Sequence, residues 1–154
     1  MNICLIVIGK TDDKNIVQLV DTYKNRLKHY IKFDIEQIDD IKNVKNLSEQ
    51  QQKEKEGEQI LLKLNSTDFV VLLDENGKDY NSVAFANFLQ QKMNAGIKRL
   101  VFIIGGPYGF SEKMYSRANQ KISLSKMTFS HQMVRIFFVE QLYRGFTILN
   151  NELY

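Results

Sequence analysis

Leu100-Val101-Phe102-Ile103-Ile104-Gly105-Gly106-Pro107-Tyr108-Gly109 joins five apolar residues to a loop that holds three of the chain's eight glycines and its only proline. An unbroken apolar run of this length, bounded by turn residues, reads as a strand buried on both faces, the kind that parallel sheets use. Glycines at 105, 106 and 109 are expected to allow close backbone approach and positive φ. Pro107 fixes its own φ and pushes Gly106 away from helical geometry. The loop is then thin and stiff, suited to lying against a flat ligand. The alternative is a tight strand-to-helix turn with no ligand, which seldom needs three glycines.

On either side of this stretch, short β-like runs alternate with helical ones. Asn2 to Ile8 reads as a first strand, and Asp12-Asp13 opens a helix that places Ile16, Val20, Tyr23, Leu27 and Tyr30 on one face. Phe33 and Ile35 mark a partly exposed second strand. From Asp39 to Glu58 the chain is strongly polar. Ser48 and Gln51 form a capping box there, and the tract reads as a solvated helix end or a mobile excursion. Asp68 to Leu73 is a buried strand, followed by the turn Asp74-Glu75-Asn76-Gly77 and a helix from Ser82 to Ala95 that Gly96 ends. After the glycine loop come a short helix from Ser111 to Asn119, a brief strand Lys121 to Ser123, a loop Leu124 to Phe129, and a last helix from near Ser130 to near Ile148. The pattern predicts an α/β fold with a mostly parallel sheet and helices on both faces, in one domain over residues 1–154. Val134, Phe137, Phe138, Gln141 and Leu142 make the last helix apolar on more than one side, which points to a partner subunit.

Composition excludes several classes. With 154 residues, 44% hydrophobic and 25% charged, the chain is neither disordered nor embedded in a membrane. No apolar stretch approaches the ~20 residues of a membrane-spanning helix. The first residues lack a basic region ahead of a short apolar run, so neither a signal peptide nor an anchor is expected. Cys4 is the single cysteine, which precludes an internal disulfide and suits a reducing cytoplasm, with a buried structural thiol as its simplest role. Charge is segregated: residues 1–77 carry net −3 and residues 78–154 net +6. A basic half suits contact with phosphates, although scatter over a solvated surface gives the same count.

In open α/β sheets, ligands bind beyond the carboxyl ends of the strands. Leu73 to Gly77, Gly105 to Phe110 and Leu124 to Phe129 all stand at such ends. No P-loop, dinucleotide fingerprint or nucleophile elbow is present, and two distant histidines with one cysteine offer no zinc spacing, so no metal is expected. Backbone groups of Leu124, Ser125, Lys126, Met127, Thr128 and Phe129 could meet the edges of an adenine, with Leu73, Leu124, Met127 and Phe129 as apolar walls. His131 and Arg135 lie one helical turn apart and could meet RNA phosphate or base. A hydrogen bond at the helix start is the alternative for His131. For Arg144, a salt bridge with Glu140 stands beside a substrate role.

Together LLDENGK at 72–78, IIGGPYG at 103–109 and ISLSKMTFSHQMVRIFFVEQLYR at 122–144, with IGK at 8–10, resemble the RlmH (YbeA-type) family of SPOUT-class ribosomal RNA large subunit methyltransferases over essentially the whole chain. The resemblance implies a C-terminal trefoil knot, a homodimer, S-adenosyl-L-methionine as cofactor, and methylation of N3 of a pseudouridine in 23S rRNA on the assembled ribosome. It puts cofactor contacts on Leu73, Gly105 and Leu124 through Phe129, and implies Arg144, near the substrate, and Tyr154, in the C-terminal tail, as catalytic residues. A related enzyme acting on another RNA such as tRNA, or a ribosome-associated RNA-binding protein without catalysis, are the alternatives.

Overall fold

A computed structural model describes residues 1–153, and Tyr154 lies outside the described residues. Along the chain run β1 (Asn2–Ile8), α1 (Lys14–Leu27), β2 (Lys32–Ile38), α2 (Glu49–Leu62), β3 (Phe69–Asp79), α3 (Ser82–Asn94), β4 (Arg99–Ile104), α4 (Glu112–Arg117), β5 (Gln120–Ser123) and α5 (His131–Leu149). The strands form one sheet in the order β2-β1-β4-β3-β5, with every neighbouring pair parallel. Parallel strands need a crossover between them, and the helices supply it while covering both faces.

Side-chain alternation along the inner strands divides the core in two. Ile3, Leu5 and Val7 of β1 and Leu100, Phe102 and Ile104 of β4 face a layer built from α1, α3 and α5. Cys4 and Ile6 of β1 and Val101 and Ile103 of β4 face α2 and α4. Phe102 and Phe138 pack with ring centroids 4.7 Å apart, which pins α5 onto the middle of the sheet. Burying each such side chain contributes about 1.5–3 kcal/mol, so the continuous apolar run of β4 anchors both layers. Cys4 is buried among these residues as a free thiol. No helix among the described residues is long and apolar enough to cross a membrane.

The polar capping residues read from sequence start their helices. Asp13 Oδ1 accepts from the backbone N–H of Asn15 at 2.8 Å and of Ile16 at 3.3 Å. Both halves of the Ser48–Gln51 capping box are formed. Ser111 and Ser130 cap α4 and α5 through their hydroxyls, which accept from Met114 N–H and Met133 N–H.

Three segments depart from expectation. The tract from Asp39 to Glu58 is largely solvated, as expected, and after one 3-10 turn at Val44–Asn46 it forms the exposed first turns of α2; the departure is Glu56 and Gly57, which are buried. Glu56 packs behind the glycine loop, and Gly57 lets α2 approach Ser111 so closely that a Cβ would stand 2.6 Å from its Oγ. Asp74 to Gly77 does not end its strand. Leu73 and Lys78 both stand opposite Ile122 of β5, so the intervening residues bulge outward from one long β3. Gly77 is required there because a Cβ would lie 2.7 Å from the backbone nitrogen of Ile122. Finally, α4 stops at Arg117 because Asn119 is taken up by β3: its side-chain Oδ1 accepts from Val70 N–H at 2.8 Å and its own N–H donates to Val70 O at 2.8 Å.

Candidate active site

The bulge of β3 and the carboxyl ends of β4 and β5 open into a cavity of about 500 Å³, a size suited to a small organic ligand. One wall is the β3 bulge with Leu73 and Asp74 to Asn76, a second is the whole loop Gly105 to Phe110, and the third runs from Leu124 to Phe129 on to His131 and Val134 of α5. Residues more than fifty positions apart in sequence thus line one space.

The glycine loop divides the two expected roles among its glycines. Only Gly109 has a positive φ, at +85°, and its N–H donates to Gly106 O at 3.2 Å to close a tight turn. Gly105 and Gly106 are needed for space. A Cβ on Gly105 would press on the ring of Phe110 at 3.1 Å, and one on Gly106 would collide with both carboxylate oxygens of Glu56.

Tyr115, from α4, was missed in the sequence and fixes the first wall. Its hydroxyl donates to Asp74 Oδ2 at 2.5 Å, and its ring meets Phe110 at 5.9 Å. Burial, then the bond to Asp74, then the negative charge of Asp74 and Glu75 push the phenol up to about 12. The third wall is shaped by a local turn in which Ser125 Oγ accepts from Met127 N–H at 2.9 Å. Phe129 leans on Phe137 with centroids 4.9 Å apart.

Among the residues singled out from sequence, Leu73, Gly105, Leu124, Ser125, Met127, Thr128, Phe129 and His131 all line this cavity. Lys126 does not. It is exposed, with its Nζ 3.7 Å from Asp79 Oδ2. Arg135 does not accompany His131 either. The helix turns it inward, where it is 3% exposed, donating through Nη1 to Thr11 Oγ1 at 2.7 Å and through Nη2 to Ile8 O at 2.8 Å. Burial pulls this guanidinium below its ordinary value, with Asp12 and Asp40 opposing. Arg135 therefore clamps the turn after β1 to α5. Arg144 lies outside the lining, and Tyr154 falls outside the described residues. Among the described residues no cluster of histidine, cysteine or carboxylate side chains suits a metal.

An all-parallel sheet with a cavity walled by a bulge of β3 and the loops after β4 and β5 is where open α/β folds hold small ligands. The family described as "Predicted SPOUT methyltransferase" matches residues 1–154, and the chain belongs to this family. Among relatives named "Ribosomal RNA large subunit methyltransferase H", that of Flavobacterium johnsoniae is 69% identical over 154 residues, covering 100% of this chain and 98% of the relative. The protein of Flavobacterium psychrophilum is 70% identical and that of Parabacteroides distasonis 63%, each with the same coverage.

Proposed function

We propose that this protein methylates large-subunit ribosomal RNA with S-adenosyl-L-methionine as donor, at N3 of a pseudouridine in 23S rRNA on the assembled ribosome, and that it works as a cytoplasmic homodimer. The observation that carries the donor assignment is the convergence of the β3 bulge and the loops after β4 and β5 on one cavity. Its walls fit the donor's chemistry: Leu73, Leu124, Met127 and Phe129 offer apolar surface for an adenine, and the loops offer backbone N–H and C=O groups for its edges. Asp74 and Glu75 bring negative charge, which suits a cationic ligand. When bound, the donor supplies a methyl group activated by a positively charged sulfur.

For the acceptor nitrogen, the protein's tasks are alignment and handling the imide proton, which must leave as the methyl arrives. In this reading Arg144, which the family resemblance puts near the substrate, stabilises the anion that develops. It lies thirteen residues along α5 from His131, about 20 Å at 1.5 Å per residue. In the proposed homodimer a second copy would supply the Arg144 that reaches this cavity, and α5 keeps apolar surface for one: Met133 is 39% exposed, with Val134 and Phe137 partly so. Lys78, Lys121 and Lys126 are exposed around the β5 edge and would meet RNA phosphate. The names of the relatives support ribosomal RNA over other RNA. The knot implied by the resemblance belongs to the same reading.

Incubating the protein with S-adenosyl-L-methionine and ribosomes, free 23S rRNA or tRNA, and mapping the methylated nucleoside by mass spectrometry, tests the assignment. Methylated pseudouridine in ribosomes is the expected result. Methylation of tRNA alone overturns the substrate, and methylation of nothing by a protein that binds RNA favours the non-catalytic alternative.

A further inference from the structure

Among its described lining residues the cavity holds two carboxylates, Asp74 and Glu75, and no lysine or arginine. A third carboxylate stands behind the glycine loop. Glu56, from α2, is 3% exposed and is absent from the lining, while Gly106, which it faces, is part of it. Gln52 Nε2 donates to Glu56 Oε2 at 3.2 Å, and Oε1 has no hydrogen-bond partner. The carboxylate occupies the space that a side chain at position 106 would need.

Packing alone does not explain a carboxylate here. A buried charge with an unpartnered oxygen costs several kcal/mol, and an apolar or amide side chain would fill the same volume more cheaply. What the charge adds is a field. Surrounded by protein, it is weakly screened, and it acts across the thin backbone of Gly106 on whatever the loop touches. Such a field favours a cation and leaves a neutral ligand nearly unaffected.

We propose that Glu56 is a specificity-determining residue whose buried carboxylate, behind Gly106, makes the cavity prefer a positively charged sulfonium donor to the neutral thioether that remains after methyl transfer. The proposal rests on the donor reading above. It gives α2 a part in clearing the product, because loss of the methyl group removes the charge that Glu56 holds. Burial pushes the Glu56 carboxyl up, Gln52 opposes this, and Asp40, between β2 and α2, adds to it as the charged group acting on Glu56. The preference is therefore present above that raised value and fades as pH falls through it.

Calorimetric titration with S-adenosylmethionine and S-adenosylhomocysteine reads the preference as a ratio of Kd values. The two compounds share their adenosine, amine and carboxylate, so those groups largely cancel in the ratio. Glu56→Gln is expected to reduce the preference for the sulfonium by about fivefold or more, with the thioether's Kd nearly unchanged. Equal weakening of both ligands, an unchanged ratio, or a loss seen in Asp74→Asn but not in Glu56→Gln overturns the proposal and leaves the donor reading intact. Wild-type protein that binds neither compound defeats both. Should Glu56→Gln fail to fold, Glu56→Asp, which keeps the charge but draws it back from Gly106, takes its place: a reduced preference for the sulfonium is expected, and an unchanged ratio overturns the proposal.

Discussion

The carboxylate of Glu56 and the Cα of Gly106 face each other with no room for a methyl group between them. Gly106→Ala is therefore expected to displace the carboxylate and destabilise the fold by about 1–3 kcal/mol in urea unfolding. Glu56→Ala removes the obstacle. The double variant should be more stable than the sum of the single losses by about 0.5–3 kcal/mol, and simple additivity would show that the two residues do not act on each other.

Stability should also follow the charge on Glu56. Its carboxyl is raised in the folded state by burial. A raised carboxyl gives stability that is fully present below the unfolded value and lost as pH rises through the folded one. Above that folded value the native protein carries an unfavourable buried charge that Glu56→Gln lacks. The variant should then be the more stable there, with the difference closing as pH falls toward the ordinary carboxylate range. Urea midpoints across that range check it, and a gap that widens in acid would reverse the sign.

Tyr115→Phe removes the hydroxyl that holds Asp74. Because the ring is partly exposed, the stability loss should stay below about 1 kcal/mol, while donor affinity falls about three- to tenfold as the β3 wall loosens. The phenol is raised to about 12, so its bond is intact below ~10 and lost as pH rises toward 12. Absorbance titration should lose one late-ionising tyrosine in the variant. Tyr30, also raised to about 12 mainly by its bond to Glu152, should remain.

Two arginines on α5 should separate cleanly. Arg135→Met removes the clamp on Ile8 O and Thr11 and should cost about 1–3 kcal/mol of stability. Arg144→Ala should leave donor binding within about twofold and abolish turnover. Unfolding curves, calorimetry and the ribosome assay distinguish the two, and full turnover in Arg144→Ala removes it from the site.

The strands and their parallel order of layers were legible because β1, β3 and β4 are nearly continuous apolar runs, and the helix starts because Asp13, Ser48, Ser111 and Ser130 are polar caps ahead of them. The three cavity-lining segments were legible as candidates, two of them from true strand ends and the third, Leu73 to Gly77, from a bulge that reads as a strand end in the sequence. Glu56 was hidden because a glutamate in a Gln/Lys/Glu tract is usually solvated. The available signal was Gly57 beside it, since glycine within a helix costs about 1 kcal/mol against alanine and marks a close approach. Arg135 was misplaced because a spacing of four residues puts two side chains near one face without saying which way a long one bends. Here the carbonyl of Ile8, 127 residues away, decided it.

The double pairing of Ile122 with Leu73 and Lys78 ties the order of events in folding to the capacity to bind. The Asp74 wall takes its shape only when β5, a late and very short strand, closes on both ends of the bulge. A chain emerging from synthesis would lack a donor site until its last third had docked. A bound donor in turn acts as a clasp on that third, adding about 2.7 kcal/mol at a hundredfold excess over its Kd. Hydrogen exchange with and without donor would show this as slowed opening of β5 and of the segment leading into α5, ahead of any change at the β2 edge.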